Sequence, residues 1–190
     1  MRAFVNTKYT KDETIAIIEG HIQAETLIVG VYWEADTQSG CHVGCLIHGF
    51  NYRLFESYFG IDPRVAILCD VIHERLPDHN SRVDFFRRAI PSIPIGADTS
   101  EVLHRLEHWM LVDPQYVHLA YDQNKAKIAS IAKLDNRISE VDVLSNWSMV
   151  SEWITEWVSV WARTRDNFIQ HLANKLIELL AKCSVNDEDE

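Results

Sequence analysis

Glycine and proline are scarce in this chain, with seven and five among 190 residues. These residue types supply many tight turns, so their scarcity disfavours an all-β fold with frequent reversals. The longest apolar runs fall far short of the roughly 18 residues that suggest a membrane span. The N-terminus also lacks the apolar core of a secretory signal. We therefore expect no membrane segment, a soluble protein in the cytoplasm, and cysteines kept as thiols.

Positive charge is also in short supply, since 28 acidic residues outnumber 18 Lys and Arg and give a net charge of −10. A chain without a basic stripe is a poor candidate for binding nucleic-acid phosphates. An acidic inhibitor that occupies a nucleic-acid site on another protein is a remaining alternative. The sequence contains no glycine-rich phosphate loop, no G-x-S-x-G elbow and no dinucleotide fingerprint. Residues 187–190 are all acidic, and we expect a disordered, solvated tail there.

A hydrophobic fraction of 47% and six tryptophans indicate a substantial core. We expect residues 1–186 to form one mostly α-helical bundle domain. Helix-capping residue pairs occur at Thr10 with Glu13, Asp62 with Pro63, Ser81 with Asp84, and Asp98 with Glu101. They predict helices over about Lys11–Glu25, Pro63–Leu76, Ser81–Ala89 and Asp98–Leu111, and apolar spacing adds Asn124–Ile138. Leu27–Trp33 could be a buried strand or a helical turn, because periodicity does not decide short apolar runs.

The segment from Gly40 to Phe59 predicts a helix at the centre of the bundle. Apolar side chains cover most of its circumference, which is typical of a helix buried by neighbours on several sides. Gly60 suits the left-handed residue that commonly follows a helix. Gly40 and Gly44 lie one turn apart, so another backbone could approach closely there. A helical glycine costs about 1 kcal/mol relative to alanine, which calls for a packing or functional reason.

The longest predicted helix runs from about Ser145 to Lys182, with apolar side chains recurring every three or four residues. It would be on the order of 55 Å long, more than the width of a compact domain of this size. It should therefore kink, or project and pack against a partner such as a second copy of the chain. Arg165 lies within its apolar stripe, one turn after Trp161. This arginine could stack on the indole, contact an anionic ligand, or extend to solvent.

Cys41, Cys45 and His48 share one flank of the predicted central helix. Cys69 and His73 form a second one-turn pair on the next predicted helix. If the two helices are neighbours, these side chains could converge tetrahedrally on zinc. A reactive thiol with His48 as its base is a second interpretation. Ordinary core packing of the cysteines is a third, because free cysteine behaves as a small apolar residue.

A weaker metal alternative is His104-Arg105-Leu106-Glu107-His108, which matches the H-x-x-E-H pattern of inverted zinc peptidases. His104 and His108 lie one turn apart and could share a zinc ion, with Glu107 as the general base. No downstream acidic residue stands out as the third ligand. An exposed polar helix face accounts for the same residues.

The segment Gly40-Cys41-His42-Val43-Gly44-Cys45-Leu46-Ile47-His48 resembles the Gly-Cys-x-Val-Gly-Cys-x-x-His signature of a group of uncharacterised bacterial proteins. The stretches Phe55–Ile61, Ile90–Asp98 and Leu111–Pro114 are also similar, so the resemblance covers residues 25–120. It draws attention to Cys41, Cys45 and His48, but it implies no particular reaction.

Two functions are compatible with these patterns. The first is a non-enzymatic binding or interaction protein, dimeric through its C-terminal helix, since no complete catalytic set is present. The second is a metal- or thiol-dependent enzyme centred on Cys41, Cys45 and His48, with zinc as the expected cofactor in the metal case.

Overall fold

The computed structural model describes residues 1–112 and 168–185. Seven α-helices lie in these ranges: α1 Lys11–Gln23, α2 His42–Ile47, α3 Leu54–Phe59, α4 Pro63–Arg75, α5 His79–Arg88, α6 Val102–Val112 and α7 Phe168–Ala181. The strands are β1 Trp33–Glu34 and β2 Ser39–Gly40, paired antiparallel, and a 3₁₀ turn covers Ile90–Ser92. The prediction of a mostly α-helical protein is confirmed. The predicted helix over 124–138, the part of the last helix before residue 168, and the tail at 187–190 lie outside the described residues.

Two predicted helix starts are confirmed in atomic detail. At α1, the Thr10 side chain accepts the Glu13 amide, and the Glu13 carboxylate accepts the Thr10 amide at 2.8 Å. At α4, the Asp62 carboxylate accepts the Arg64 amide at 2.8 Å, and Pro63 occupies the first helical position. These interactions involve residues two or three apart, so the local sequence is enough to specify them.

Two other starts differ from the prediction. Helix α5 begins before Ser81, because Asp78 is the cap and accepts the Ser81 amide at 2.9 Å. Asp98 accepts the Ser100 amide at 2.9 Å in a turn, and α6 begins only at Val102. The segment 27–33 was predicted to be a buried strand or a helical turn, and most of it forms neither. Leu27 makes an isolated bridge to Gly40, and only Trp33 enters a strand.

The prediction of one continuous helix over 40–59 is wrong. Helix α2 ends at His48, which adopts a left-handed conformation with φ 50°. The His48 amide donates a hydrogen bond to the Gly44 carbonyl. The chain then turns, and α3 ends at Gly60 with φ 66°, as the sequence predicted. The turn leaves Phe50 77% exposed and buries Tyr52. The apolar periodicity continues through this segment. Periodicity does not reveal a single residue that adopts the left-handed backbone conformation.

Helix α4 is the centre of the bundle instead. It packs against α2, α3, α5, α6 and α7, and every residue from Val65 to His73 is buried. Helix α7 also packs on α5, α6 and the 3₁₀ turn, and its apolar residues Phe168, Leu172, Leu176 and Leu180 are fully or almost fully buried. The apolar face of this described part of the last helix is therefore occupied by its own chain. None of the helices in the described ranges is long and apolar enough to cross a membrane.

Candidate functional site

Cys41 occupies the N-cap position of α2, a place that serine, threonine or aspartate usually takes. Its Sγ accepts the Gly44 amide at 3.4 Å and lies 3.7 Å from the Tyr32 carbonyl oxygen. The residue is only 2% exposed. The thiol is thus fixed in position by the start of a helix and by the loop that leads into β1.

Helix α4 brings two carboxylates to this thiol. Asp70 and Glu74 are one turn apart, so their side chains leave the same face of the helix. One oxygen from each and Cys41 Sγ all lie within 4.8 Å of one another. Among residues 1–112 and 168–185, this is the only group of three or more Cys, His, Asp or Glu donor atoms at that spacing. We call these three residues the Cys41 cluster.

The hydrogen bonds of the two carboxylates are unequal. The Tyr52 hydroxyl donates to Asp70 Oδ2 at 2.7 Å. Asp70 Oδ1 is buried and has no partner at hydrogen-bonding geometry, although the Cys41 thiol and the Val43 amide lie close enough to this carboxylate to lower its pKa. Glu74 is half-buried, and its two oxygens accept the Gly30 amide at 2.9 and 3.1 Å. A buried carboxylate oxygen without a hydrogen bond costs folding free energy. Of the two carboxylates, Asp70 therefore gains most from a further partner.

Burial controls the ionisation of the cluster. It is the main cause that raises the pKa of Asp70, Glu74 and Cys41 above their ordinary values, and the Asp70 charge raises the pKa of the other two further. Burial likewise raises the pKa of Tyr52. Three acidic groups this close cannot all lose their protons unless a positive charge joins them. Cys41 is therefore not an activated thiolate by itself, and the arrangement can hold either protons or a cation.

The loop over the cluster is seated directly on α2. A Cβ atom added at Gly44 or Gly40 would overlap the Tyr32 carbonyl oxygen. The predicted close backbone approach at these glycines is therefore confirmed, and the approaching segment is the one that enters β1. This seating fixes Tyr32 and the adjoining Gly30 amide, which holds Glu74.

The other cysteines predicted for a metal or thiol site have packing roles. Cys45 donates to the Gly40 carbonyl at 3.3 Å, and burial raises the pKa of this thiol to about 12. Cys69 is completely buried, and burial raises its pKa as well. All four cysteines are free thiols, as expected. Packing was one of the three interpretations of the sequence, and it fits Cys45 and Cys69.

The histidines of the predicted set point elsewhere. His73 is fully buried, its Nε2 donates to the Ile28 carbonyl at 3.1 Å, and burial lowers its pKa to about 4. His42 is also fully buried, with its ring 4.8 Å from that of Phe86 and neither nitrogen hydrogen-bonded. His48 lies in a separate surface cavity, beside His21 and Trp33. Of the residues predicted for a metal site, only Cys41 belongs to a group of three donor atoms among the described residues, and a metal held by Cys45, His48, Cys69 or His73 stays a prediction.

The remaining predicted site residues do not assemble in the described part of the chain. His104 is exposed on α6, and the side chains of Glu107 and His108 lie outside the described residues. Arg165 and Trp161 also lie outside them. The zinc-peptidase and anion-binding interpretations of these residues stay predictions.

Asp70, Glu74 and Tyr52 are the site residues that the sequence analysis missed. One signal could have found the first two. Asp70 interrupts the apolar stripe of α4, between buried Cys69 and Val71, and Glu74 follows it by one turn. A charged residue in a buried stripe is rarely there without a partner. Tyr52 carried no such signal, because its direction depends on the unpredicted turn after His48.

Comparisons of the chain with protein-family models, with curated proteins and with solved structures give no match.

Proposed function

We propose that the protein binds a zinc ion between Cys41, Asp70 and Glu74, and that the ion serves chemistry rather than folding alone. The observation that carries the proposal is the convergence of three acidic donors within 4.8 Å, one of them with a buried oxygen that lacks a partner. A divalent cation would supply that partner. It would also favour loss of the protons that burial now retains on the cluster.

The donor set favours zinc over other common ions. Thiolate sulfur is a soft ligand that selects against magnesium and calcium, carboxylate oxygen is a hard ligand, and a borderline ion accepts both. Cysteine, aspartate and glutamate are all zinc ligands. Structural zinc sites almost always use four protein ligands, whereas catalytic sites use three and leave one position for water or substrate. Within residues 1–112 and 168–185 the Cys41 cluster offers three, which supports the catalytic type.

Outer-shell contacts support the same proposal. Tyr52 orients Asp70 through its 2.7 Å hydrogen bond, and the Gly30 amide orients Glu74. The Gly44 amide donates to the sulfur of Cys41. Each proposed ligand thus has a second contact that fixes its direction, as ligands of functional metal sites generally do. The metal-dependent function considered from the sequence is retained here, but its proposed ligands move from Cys45 and His48 to the two α4 carboxylates.

The test is the zinc content of tag-free protein after exhaustive buffer exchange, measured by plasma mass spectrometry. We expect about one zinc per chain in the unmodified protein and a strong loss in Cys41→Ser and Asp70→Asn. Cys45→Ser is the matched control, because a serine hydroxyl can still donate to the Gly40 carbonyl. Serine at position 41 is also a good N-cap, so this variant should remain folded.

Cobalt substitution separates the ligands. Cobalt bound to the unmodified protein and to Cys45→Ser should give a thiolate-to-metal charge-transfer band, and Cys41→Ser should lack it. A thiolate-to-metal band retained in Cys41→Ser, or zinc lost equally in Cys45→Ser, would contradict the assignment. Circular dichroism on each variant shows whether a loss of metal reflects a loss of fold.

A further inference from the structure

A second site candidate lies on the surface, away from the Cys41 cluster. His21, in the last turn of α1, and His48, at the left-handed end of α2, both line a cavity of about 570 Å³. Asp36, Thr37 and Gln38, from the β1–β2 connection, line the same cavity. We call this the histidine cavity. Unlike the Cys41 cluster, it is open to solvent, and two of its nine lining residues are histidines.

The two rings meet through their Nε2 atoms, which are 3.3 Å apart. Zinc–nitrogen bonds are about 2.05 Å long, so two imidazoles on a tetrahedral zinc have nitrogens about 3.4 Å apart. A right-angled pair would place them nearer to about 2.9 Å. The observed separation of 3.3 Å therefore matches the spacing of two nitrogen ligands on a tetrahedral ion.

We assign the tautomer of His21 from its contact with Thr26. The Thr26 hydroxyl donates to the His21 carbonyl at 3.3 Å, so its oxygen is available to accept from His21 Nδ1, 2.7 Å away. A proton on Nδ1 leaves Nε2 of His21 with a free lone pair. An outer-shell hydrogen bond of this kind orients most metal-binding histidines. His48 is oriented in a different way, by stacking on Trp33 with ring centroids 4.6 Å apart.

From this geometry we infer that His21 and His48 bind a divalent transition-metal ion through their Nε2 atoms. Two imidazoles supply half of a tetrahedral shell, and the open cavity leaves the other positions to water or to an exogenous ligand. Burial lowers the pKa of both histidines, so both rings are neutral near pH 7 and able to ligate. The site is independent of the Cys41 cluster, since it shares no residue with it.

The experiment titrates zinc into tag-free Cys41→Ser protein, which lacks the proposed sulfur ligand, and follows binding by calorimetry. We expect one zinc per chain. Adding His48→Asn should weaken it at least about tenfold, because loss of an outer-shell partner alone costs about 10–100-fold and a lost ligand should cost no less. Asparagine is chosen because it tolerates the left-handed conformation of residue 48. His21→Gln in the same background tests the second ligand.

His79→Gln is the matched control, since His79 is an exposed histidine at the start of α5 and does not line the cavity. It should bind zinc as tightly as the Cys41→Ser parent. The inference is overturned if the parent binds no zinc, or if His48→Asn and His21→Gln bind as tightly as His79→Gln. In either case the two rings form only an N–H···N hydrogen bond. This result leaves the Cys41 cluster untouched, because its own test uses metal retained by the unmodified protein.

Discussion

The Tyr52 hydroxyl donates a 2.7 Å hydrogen bond to Oδ2 of Asp70, while Oδ1 of the same buried carboxylate has no partner. The tyrosine comes from the turn between α2 and α3, and the aspartate from the middle of α4. One turn residue therefore fixes the plane of a carboxylate whose second oxygen remains available. The predictions below depend on this unequal environment and on the packing that surrounds it.

Replacing Asp70 by asparagine should stabilise the metal-free protein at neutral pH. Burial raises the pKa of Asp70 in the folded state above its ordinary value of 3.8. The folded state therefore binds the proton more tightly, and wild-type stability falls as pH rises from 3.8 through the folded-state pKa. We expect Asp70→Asn to gain on the order of 1–3 kcal/mol at pH 7 and to converge with the wild type in acid. Urea unfolding of chelator-treated protein between pH 4 and 8 measures this.

The stability of Tyr52→Phe should change in the opposite direction to that of Asp70→Asn. This variant removes the 2.7 Å hydrogen bond to the Asp70 carboxylate, so it should destabilise the protein at pH 7 by about 1–3 kcal/mol. If Asp70→Asn and Tyr52→Phe were equally destabilised at every pH, the buried Asp70 carboxylate would not destabilise the metal-free protein.

Two glycine substitutions should have opposite effects. Gly44→Ala places a methyl group on the Tyr32 backbone, so the loop or α2 must shift, and we expect destabilisation of about 1–3 kcal/mol or more. A Cβ at Gly20, in the interior of α1, meets nothing within 4 Å. Gly20→Ala should therefore stabilise by about 0.5–1 kcal/mol through helix propensity. The urea unfolding midpoints of both variants at one pH test these two predictions. A Gly44→Ala protein as stable as the wild type would refute the close approach of the Tyr32 backbone to Gly44.

His73 should make the metal-free protein sensitive to acid. Burial lowers its pKa from 6.5 to about 4, so the folded state favours the neutral ring. The resulting stability is present above pH 6.5 and is lost as pH falls through about 4. His73→Gln should remove on the order of 3 kcal/mol of this pH dependence. Part of the pH dependence of stability should remain in this variant, because burial also lowers the pKa of His42. Unfolding free energies at pH 7 and pH 4 measure the difference, and an unchanged acid slope would contradict it.

Leu176→Asp should unfold the protein instead of separating a dimer. Leu176 is completely buried where α7 packs on the bundle, and an unpaired charge there should exceed about 4 kcal/mol of destabilisation. The exposed neighbour change Asn174→Asp adds the same charge and should have little effect. Thermal circular dichroism and light scattering distinguish the outcomes. A folded Leu176→Asp monomer from a dimeric parent would place the dimer interface on this face after all.

The sequence was sufficient wherever a few neighbouring residues determine the structure. The Thr10–Glu13 capping box, the Asp62–Pro63 start and the Gly60 end all involve contacts within a short stretch of chain, and all three are confirmed. The break at His48 was not foreseen, because a left-handed histidine has no reliable local signature. That break sends Phe50 to solvent and Tyr52 to the core.

The candidate site shows the same division. Cys41 was found because the cysteines and glycines around it form an unusual pattern. Its predicted partners were assigned by spacing along one helix, which selected Cys45 and His48, whereas the donor group that the structure describes joins Cys41 to residues of another helix. Asp70 and Glu74 became partners through the packing of α4 on α2, and no spacing within one element encodes such a contact.

The bond from the Gly44 amide to Cys41 sulfur makes helix α2 responsive to what the sulfur carries. A neutral thiol accepts that N–H weakly, whereas a metal-bound thiolate accepts it strongly. Occupancy of the Cys41 cluster would therefore be transmitted to the first turn of α2 as protection of a single amide from exchange with solvent. Since His48 closes the same short helix, one six-residue element physically joins the buried cluster to the open histidine cavity.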